Sequence, residues 1–377
     1  MTQVEEEDRA VLLESLSPSA WIREGIEDPD NSVAILGKKG GVGKSSLTAM
    51  LADAAVRFGL NVLGIDGDPQ GNLSVALDNE VNMVPTGNLK LGGQTEEIPD
   101  RDTLVEILEA NQDGVVDEGF QLFGWGHNSE ADFVRGGPLV RGKIGTLAII
   151  PAYKALENIS KGWNLADVRR LDRALNKPLS PGGVIPRRRW DLTFTDMLPG
   201  GADLARAILL AQRRFVLLTT AEPFGMKAIA DTLEFAHDVR DNWGSPKLQD
   251  LGLVFTSYNP QGIVTRAEMT ELRNAQAAGD PTVNVEIWEP RISSRTLVPN
   301  SQGYRAPVSA FLADSKQRVA ATELCQIAEA IVLKILRKIG HPDADELERL
   351  WRKAWPELSP WATGAIVDKE VADKEAQ

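Results

Sequence analysis

Cysteine is almost absent from this sequence of 377 residues, in which Cys325 stands alone. A single cysteine excludes a disulfide within the chain and any metal cluster held by several thiolates of one chain. Histidine is also scarce, and His127, His237 and His341 lie far apart, without the spacing of a metal site. We therefore expect no chemistry based on paired thiols or clustered imidazoles.

Long apolar runs are missing as well. No stretch approaches the ~18 apolar residues that a transmembrane helix needs. The acidic N-terminus also lacks the apolar core of a signal peptide. The sequence therefore predicts a cytoplasmic protein with no membrane partner. An apolar content of 42% excludes a chain that is disordered throughout.

The charge is unevenly distributed along the chain. The net charge of −13 excludes a polycation that binds nucleic acid over its whole surface. Residues 1–30 contain nine acidic residues against two basic ones, whereas residues 291–340 contain eight basic residues against three acidic ones. Binding to phosphates needs only a local cationic surface. The acidic composition thus does not exclude a DNA-binding face in the later part of the chain.

Short apolar runs alternate with segments in which apolar residues recur at helical spacing. The runs predict strands over residues 33–37, 61–66, 146–152, 190–196, 213–220 and 251–257, with helices between them. A strand, a loop, a helix and a second strand at this spacing form a βαβ unit. The pattern predicts an α/β fold with a mostly parallel, twisted sheet and helices on both faces.

The same pattern divides the chain into three predicted parts. Residues 1–31 form an acidic helical extension, 32–340 form one α/β domain, and 341–377 form a C-terminal extension that is partly disordered. Within the domain, residues 78–145 are polar and rich in glycine and aspartate around one predicted helix at 103–110. We interpret this stretch as an insertion.

A glycine-rich loop follows the first predicted strand. The segment Gly37–Ser46 satisfies the pattern G-x-x-x-x-G-K-[ST] between a strand and a helix, as in P-loop NTPases. Glycines allow backbone N–H groups to surround phosphate oxygens, and the following helix adds its positive N-terminal end. Lys44 would bridge the β- and γ-phosphates, and Ser45 would bind Mg²⁺. The predicted nucleotide-binding residues are Gly40, Gly41, Val42, Gly43, Lys44, Ser45 and Ser46.

The run from Lys39 to Ser45, KGGVGKS, resembles the deviant Walker A motif of the ParA/MinD family of ATPases. In that family a second lysine at the start of the motif crosses a nucleotide-sandwich dimer to the phosphates of the partner subunit. The resemblance implies this catalytic role for Lys39, ATP as the nucleotide and an ATP-dependent homodimer. A solvated loop lysine is the alternative interpretation of Lys39.

Two aspartate motifs at strand ends extend the resemblance. The stretch D-G-D-P-Q beginning at Asp66 is similar to a family motif whose later aspartate contacts the attacking water. The match implies that Asp68 orients this water and that Asp66 lies near Mg²⁺. The segment WDLTFTD, which ends at Asp196, resembles the Walker B strand, although two threonines replace its usual aliphatic residues. By that match Asp196 holds Mg²⁺ through water.

Two later segments carry weaker resemblances. The triplet E-P-R at 289–291 resembles the family loop that closes over adenine, which implies nucleotide contacts for Pro290 and Arg291. DNA-segregating members bind DNA through basic residues of the C-terminal part. The resemblance thus implies DNA contacts by Arg295, Arg305, Lys316 and Arg318. The alternative is a solvated helix face.

Among the branches of this family, those with iron–sulfur clusters need paired cysteines, and the MinD-like membrane-bound ones need a basic amphipathic end. This sequence has neither. The resemblance therefore implies a slow ATPase that dimerises on ATP, binds DNA non-specifically and associates with the nucleoid. A ParB-like centromere-binding protein would stimulate it during partition of a plasmid, phage or chromosome. Two alternatives stay open: a nucleotide-gated positioning or scaffold protein that acts on a protein cargo or a membrane, and an amidoligase-like metabolic enzyme.

Overall fold

The computed structural model describes residues 17–77, 82–89, 95–99, 103–109, 121–123, 138–159, 163, 165–176, 187–200, 203–222, 225–259, 261–292, 303, 305–355 and 357–363. The helix predicted in the N-terminal extension and the candidate DNA-binding residue Arg295 lie outside these residues. None of the described helices is long and apolar enough to cross a lipid bilayer.

The described strands are β1 (Ser32–Leu36), β2 (Val62–Asp66), β3 (Met83–Leu89), β4 (Thr95–Pro99), β5 (Gln121–Phe123), β6 (Leu147–Ile150), β7 (Leu192–Asp196), β8 (Arg214–Thr220) and β9 (Gln249–Thr256). Six strands lie within a few residues of the six predicted apolar runs, and three further strands, β3, β4 and β5, correspond to none of them. Seven of these form one sheet in the order β5-β6-β2-β7-β1-β8-β9. All neighbours in it pair in parallel except β5, an antiparallel edge strand beside β6.

Helices connect the strands and continue beyond the last one. Those described are α1 (Ala20–Arg23), α2 (Lys44–Arg57), α3 (Asn72–Ala76), α4 (Leu104–Glu109), α5 (Leu156–Ile159), α6 (Leu165–Val168), α7 (Arg170–Asn176), α8 (Asp203–Leu210), α9 (Gly225–Asn242), α10 (Ile263–Ala277), α11 (Arg318–Lys338), α12 (Ala344–Ala354) and α13 (Pro360–Thr363). Short 3₁₀ helices span Arg187–Arg189, Pro281–Val283 and Val308–Ala313.

The sheet is buried on both faces, as expected for parallel strands. All five residues of β1 are buried, and their side chains alternate between two apolar clusters. Val33 and Ile35 belong to the cluster that contains α2, α11 and α12. Ala34 and Leu36 belong to the cluster on the other face, with α8 and α9. The predicted α/β fold, with a mostly parallel sheet and helices on both faces, is confirmed.

Two features of the topology do not follow from the local patterns. Strand β7 lies between β1 and β2, so the crossover through α2 skips one strand position and brings the ends of β2 and β7 together. The stretch 78–145 contains the predicted helix as α4, but also the antiparallel pair β3–β4 and the edge strand β5. Strand β3 escaped prediction because it contains Pro85 and Gly87, residues that are disfavoured in strands.

The described parts of both predicted extensions pack onto the main core. Trp21 in α1 and Trp351 in α12 are buried in the apolar cluster that contains α2 and α11. Arg23 and Asp343 join the two extensions by an ion pair of 2.6 Å. The division of the chain into three domains stays a prediction.

Candidate nucleotide-binding site

The loop between β1 and α2 has a conformation that its glycines permit. Gly41 and Gly43 have φ values of 76° and 89°, in the left-handed region that other residues rarely adopt. At Gly37 a Cβ atom would lie 2.8 Å from the carbonyl oxygen of Leu218 in β8, too close for any side chain. The hydroxyl of Thr256, the last residue of β9, donates to the Val42 carbonyl at 2.7 Å and anchors the loop.

Lys44 begins α2 and is almost fully buried, with 7% of its surface exposed. Its Nζ lies 3.5 Å from the carbonyl oxygen of Lys39 across the loop. Burial lowers the pKa of the Lys44 ammonium, whereas the negative charges of Asp196 and Asp68 act in the opposite direction. A buried cation inside a glycine-rich loop would be stabilised by an anion such as a phosphate.

Two buried aspartates lie side by side at the carboxyl edge of the sheet. Asp66 ends β2 and Asp196 ends β7, and the two residues are partners in the strand register. Asp66 Oδ2 accepts hydrogen bonds from the backbone N–H and the hydroxyl of Ser74, at 2.8 and 2.7 Å. Ser45 Oγ donates to Asp196 Oδ2 at 2.5 Å, while Asp196 Oδ1 is buried and accepts no hydrogen bond from the residues that the structure describes.

These carboxylates are poorly compensated by the protein itself. Burial raises the pKa of Asp66 to about 7. Burial, with the charge of Asp66 nearby, raises the pKa of Asp196 well above its usual range. A divalent cation would neutralise the pair, and Mg²⁺ prefers oxygen ligands such as the free Asp196 Oδ1 and Ser45 Oγ. The residues present therefore fit Mg²⁺.

Acidic, cysteine and histidine side chains do not form a metal cage by themselves, since the described residues contain no suitable group of three or more. This is the arrangement expected when Mg²⁺ is bound by one or two protein groups and completed by phosphates and water. The metal site is thus one that a nucleotide would complete.

Asp68 lies in the loop that joins β2 to α3 and is half-buried. Its Oδ1 accepts the backbone N–H of Gln70 at 2.9 Å. The preceding Gly67 donates its N–H to the Asp196 carbonyl oxygen at 2.9 Å, and a Cβ atom there would lie 2.7 Å from that oxygen. This close approach of the backbones holds the two aspartate motifs together.

Lys39 lies at the exposed rim of the loop. Its Nζ is 2.6 Å from Glu222 Oε2, and slightly more than half of each side chain is exposed. The hydrogen bond and the charge of Lys39 lower the pKa of Glu222. The neighbouring Lys38 pairs with Asp231 of α9 at 3.0 Å. In this conformation Lys39 is therefore held by a carboxylate of its own chain.

Ser74 and Glu222 were missed by the sequence analysis. Glu222 follows β8 at the same edge of the sheet as the phosphate loop, the edge at which ligands bind in such folds. Its position after a predicted strand could have marked it as a candidate. Ser74 lies within α3, and nothing in the local sequence indicates that its hydroxyl reaches Asp66.

Pro290 and Arg291 are buried in a loop that follows the Pro281–Val283 turn. The Arg291 guanidinium stacks on Tyr258, 4.4 Å from the ring centroid, and lies 3.3 Å from Glu289 Oε2. Pro290 borders a groove between α11 and α12. These contacts involve no residue of the phosphate loop, and the nucleotide contacts of both residues stay predictions.

The candidate DNA-binding residues that are described lie on the surface. Arg305, Lys316 and Arg318 are exposed, and Arg318 Nε donates to the Leu312 carbonyl oxygen at 3.1 Å. Arg305 has a φ of 49°, in the left-handed region. The structure brings these three cations to the segment that precedes and begins α11, but their role in DNA binding stays a prediction.

Ion pairs reduce the positive charge further along α11. Lys334 and Lys338 both pair with Glu286, at 2.7 and 2.5 Å. Arg337 forms an ion pair with Glu348 of α12. Part of the cationic excess counted over residues 291–340 is therefore neutralised by acidic residues outside that range.

The comparison with known proteins agrees with this geometry. Residues 33–307 match the CobQ/CobB/MinD/ParA nucleotide-binding domain. The chain belongs to this family. The resemblance to ParA/MinD proteins and the P-loop NTPase fold class are thereby confirmed. An uncharacterised protein of Mycobacterium tuberculosis is 24% identical over 246 residues, which are 65% of this chain and 63% of that relative. The chain thus matches less than two thirds of the length of its curated relative.

Solved structures of other family members share the fold. An ATP complex of McdA from Cyanothece has a TM-score of 0.54 at 18% identity, covering 82% of this chain and 96% of McdA. Cobyrinic acid a,c-diamide synthase of Mycobacterium smegmatis, with an ATP analogue and magnesium, has a TM-score of 0.50 at 19% identity, covering 76% and 94%. A putative plasmid partition protein of Borrelia burgdorferi bound to AMPPNP has a TM-score of 0.50 at 16% identity, covering 80% and 98%.

Proposed function

We propose that the protein is an ATP hydrolase of the ParA/MinD type that binds ATP and Mg²⁺ at the Gly37–Ser46 loop. The observation that carries this proposal is the convergence of Lys44, Ser45 and Asp196, with one oxygen of Asp196 accepting no hydrogen bond among the described residues. The structures of McdA and cobyrinic acid a,c-diamide synthase, solved with ATP or its analogue, support ATP as the nucleotide.

Each residue of the site has a defined task in this proposal. Lys44 binds the phosphates, Ser45 and Asp196 hold Mg²⁺, and Asp66 compensates the metal charge from beside Asp196. When bound, Mg²⁺ neutralises charge on the β- and γ-phosphates. Asp68 orients the attacking water, and its half-buried position in the loop after β2 leaves part of its side chain accessible to water.

The signature lysine gives hydrolysis its dependence on dimerisation. In the proposed homodimer Lys39 leaves Glu222 and reaches the phosphates bound by the partner subunit, where it acts as a cation on the transferring group. The exposed pair with Glu222 is weak, because ion pairs in water contribute ~0.2–1 kcal/mol. A triphosphate therefore competes well for Lys39. Turnover would be slow until dimer and partner are assembled.

We further propose that the ATP-bound dimer binds DNA non-specifically and drives partition together with a ParB-like centromere-binding protein, in the cytoplasm and on the nucleoid. The exposed Arg305, Lys316 and Arg318 support a phosphate-binding face, which the symmetry of a dimer would double. The similarity in fold to a putative plasmid partition protein agrees with this role.

A second candidate is a nucleotide-gated positioning protein that acts on a protein cargo. The ion pairs of Lys334, Lys338 and Arg337 favour it, because they leave less cationic surface for DNA than the sequence suggested. Measurement of DNA binding with ATP, with ADP and without nucleotide separates the two. Partition predicts binding only with ATP. Equal binding in all three states contradicts the nucleotide switch, whereas ATP turnover without DNA binding at low salt favours the protein cargo.

The variant Lys44→Ala tests the ATP site itself. It should abolish binding of ATP, whereas Lys38→Ala, the matched change in the adjacent part of the loop, should leave affinity nearly unchanged. Retained ATP affinity in Lys44→Ala would refute the assignment of Lys44.

A further inference from the structure

A second buried polar cluster lies away from the phosphate loop, where α2, α11 and α12 meet. Glu329 of α11 is fully buried, and its Oε2 accepts the indole N–H groups of Trp351 and Trp355 at 2.7 and 2.6 Å. Its other oxygen faces Arg57 Nε at 4.0 Å and accepts no hydrogen bond within the described part of the chain. The Glu329 carboxylate thus lies beside Arg57, the last residue of α2, and also binds α12 and the residue that follows it.

A second buried polar residue of α11 binds the same part of the chain. The side-chain amide of Gln326 donates to the Glu357 carbonyl oxygen at 2.9 Å and accepts the backbone N–H of Ser359 at 2.7 Å. Apolar residues would seal a permanent core at least as well, because a buried polar pair adds little net stability over apolar packing. Polar residues would instead become hydrated if the C-terminal part came away, which makes its release less costly than the exposure of apolar side chains.

The cluster also belongs to the helix that carries the phosphate loop. Arg57 ends α2, and Lys44 begins it. One turn before Arg57, the Asp53 carboxylate accepts the hydroxyl and the backbone N–H of Ser309 at 2.9 and 3.3 Å. Cys325 of α11 lies in the same contact and is buried against α2. Because a helix moves as a rigid rod, a change at the Arg57 end displaces the Lys44 end.

We propose that Glu329 is a positioning residue for nucleotide binding. It fastens the C-terminal segment, meaning α12, α13 and the residues between them, to α11. In doing so it fixes Arg57 and the orientation of α2, on which Lys44 and Ser45 stand. The inference rests on the proposed function in one respect, namely that α2 carries the ATP site. Detachment of the C-terminal segment then loosens the contact between α2 and α11 and weakens ATP binding.

The single cysteine provides a direct readout of this contact. In the variant Trp351→Phe/Trp355→Phe, which removes both indole donors, Cys325 should react with a small thiol reagent about tenfold faster. The Kd for ATP should rise about fivefold. The matched control is Trp21→Phe, whose indole N–H donates to the Asp191 carbonyl oxygen at 3.0 Å in the same apolar cluster. The control should leave labelling and affinity unchanged under conditions in which all variants are fully folded.

Two further variants distinguish the loss of the proposed link from a general loss of folding. Trp355→Phe alone changes a residue that is only half-buried and should give a smaller effect of the same sign. Glu329→Gln keeps an acceptor oxygen and the side-chain volume, but loses the charge that faces Arg57. If Glu329 is the link, the tryptophan changes made on top of Glu329→Gln should have less effect than in the wild type.

The outcomes separate this inference from the proposed function. Labelling and ATP affinity equal to those of Trp21→Phe would overturn the role of Glu329, even if the variants were less stable. A wild-type protein that binds no ATP would instead refute the proposed function. In that case the rate of Cys325 labelling is the measurement that tests the link between the C-terminal segment and α2. Faster labelling of Cys325 supports the link from the C-terminal segment to α2, and unchanged labelling overturns it.

Discussion

The two ends of strand β7 carry aspartates that differ in how the protein satisfies them. Asp191, before the strand, accepts the backbone N–H groups of Ala20 and Asn61 at 2.7 and 2.8 Å. His341 Nε2 lies 3.4 Å from the same carboxylate. Asp196, at the other end, accepts one hydrogen bond from Ser45, and its other oxygen accepts none from the residues that the structure describes. Because buried polar groups are normally satisfied, such an oxygen is a candidate position for a ligand.

Burial alone therefore does not distinguish a structural carboxylate from a candidate functional one. Both residues are almost fully buried, and both belong to the same seven-residue stretch of sequence. Asp191 joins the N-terminal extension, the start of β2 and the C-terminal extension, and we assign it a structural role. Asp196 contacts Ser45 of the phosphate loop, and the proposed function assigns it a cation. Four measurements test this contrast between the two carboxylates.

The largest effect is expected from Asp196→Asn. The amide cannot compensate Mg²⁺, so ATP hydrolysis should fall by roughly 10²–10³-fold, the range found when one preorganised electrostatic group is removed. The free energy of unfolding should stay the same or rise, because the change removes a buried charge whose pKa is raised. Steady-state turnover and chemical denaturation check both. Turnover near that of the wild type would contradict the metal assignment.

Asp191→Asn, the isosteric change at the other end of the strand, should lower stability and leave the ATP site intact. An amide NH₂ would face a backbone N–H that now donates to the carboxylate, which leaves a buried donor unsatisfied. We expect a loss of about 2 kcal/mol in the free energy of unfolding, with ATP affinity unchanged in the folded protein. If stability were unaffected and ATP affinity fell, the division into structural and functional aspartates would be wrong.

The pH dependence of the free energy of unfolding should show how poorly the protein compensates the charge of Asp66. Its pKa rises from 3.8 to about 7 on folding, so the folded state binds more protons than the unfolded state between these values. The contribution of Asp66 to stability is therefore present at low pH and is lost as the pH rises from about 4 to 7.

The variant Asp66→Asn, measured without nucleotide or metal, tests whether Asp66 causes stability to fall as the pH rises. Its stability should vary less with pH over this window than that of the wild type. Glu329→Gln serves as the matched control, because burial also raises the pKa of Glu329 to about 7. Saturating Mg²⁺ and ATP should flatten the Asp66 contribution, because a bound cation compensates the charge of this carboxylate. An unchanged profile in Asp66→Asn would contradict the buried, poorly compensated state of this carboxylate.

The smallest effect is expected at the exposed pair of Lys39 and Glu222. Glu222→Gln should change the free energy of unfolding by less than about 0.5 kcal/mol, because exposed ion pairs contribute little. It frees Lys39 to leave its own chain, so the ATP-dependent dimer should form at a slightly lower protein concentration. Analytical ultracentrifugation with ATP measures this shift. A weaker dimer in Glu222→Gln would show that Glu222 supports the dimer instead of competing with it.

The local pattern of the chain predicts much of the fold. The parallel strands and most helices are visible as apolar runs and helical spacing, because parallel strands buried on both faces need continuous apolar residues. The phosphate loop is also local, since its glycines and its position between β1 and α2 follow from a ten-residue motif. Strands β3 and β5 were not predicted, since pairing partners decide whether such short or glycine-containing segments become strands.

Sequence motifs predicted several residues of the candidate site, but not the contacts that these residues make. Lys44, Ser45, Asp66 and Asp196 follow from motifs, and the structure brings them to one edge of the sheet. That Ser74 compensates Asp66 or that Glu222 holds Lys39 could not be inferred. Such pairings depend on which strands become neighbours, and β7 entered the sheet between β1 and β2.

The amino-acid sequence is sufficient to predict a P-loop with a second lysine and aspartates at the ends of two strands. Local backbone geometry suffices for this, because glycine conformations and the strand-to-helix step are set within a few residues. Which carboxylates are satisfied depends on the tertiary contacts. Ser45 and Asp196 are 151 residues apart, and Glu329 meets Arg57 across most of the chain. The partner of a buried charge is chosen by packing over such distances, and no local pattern records it.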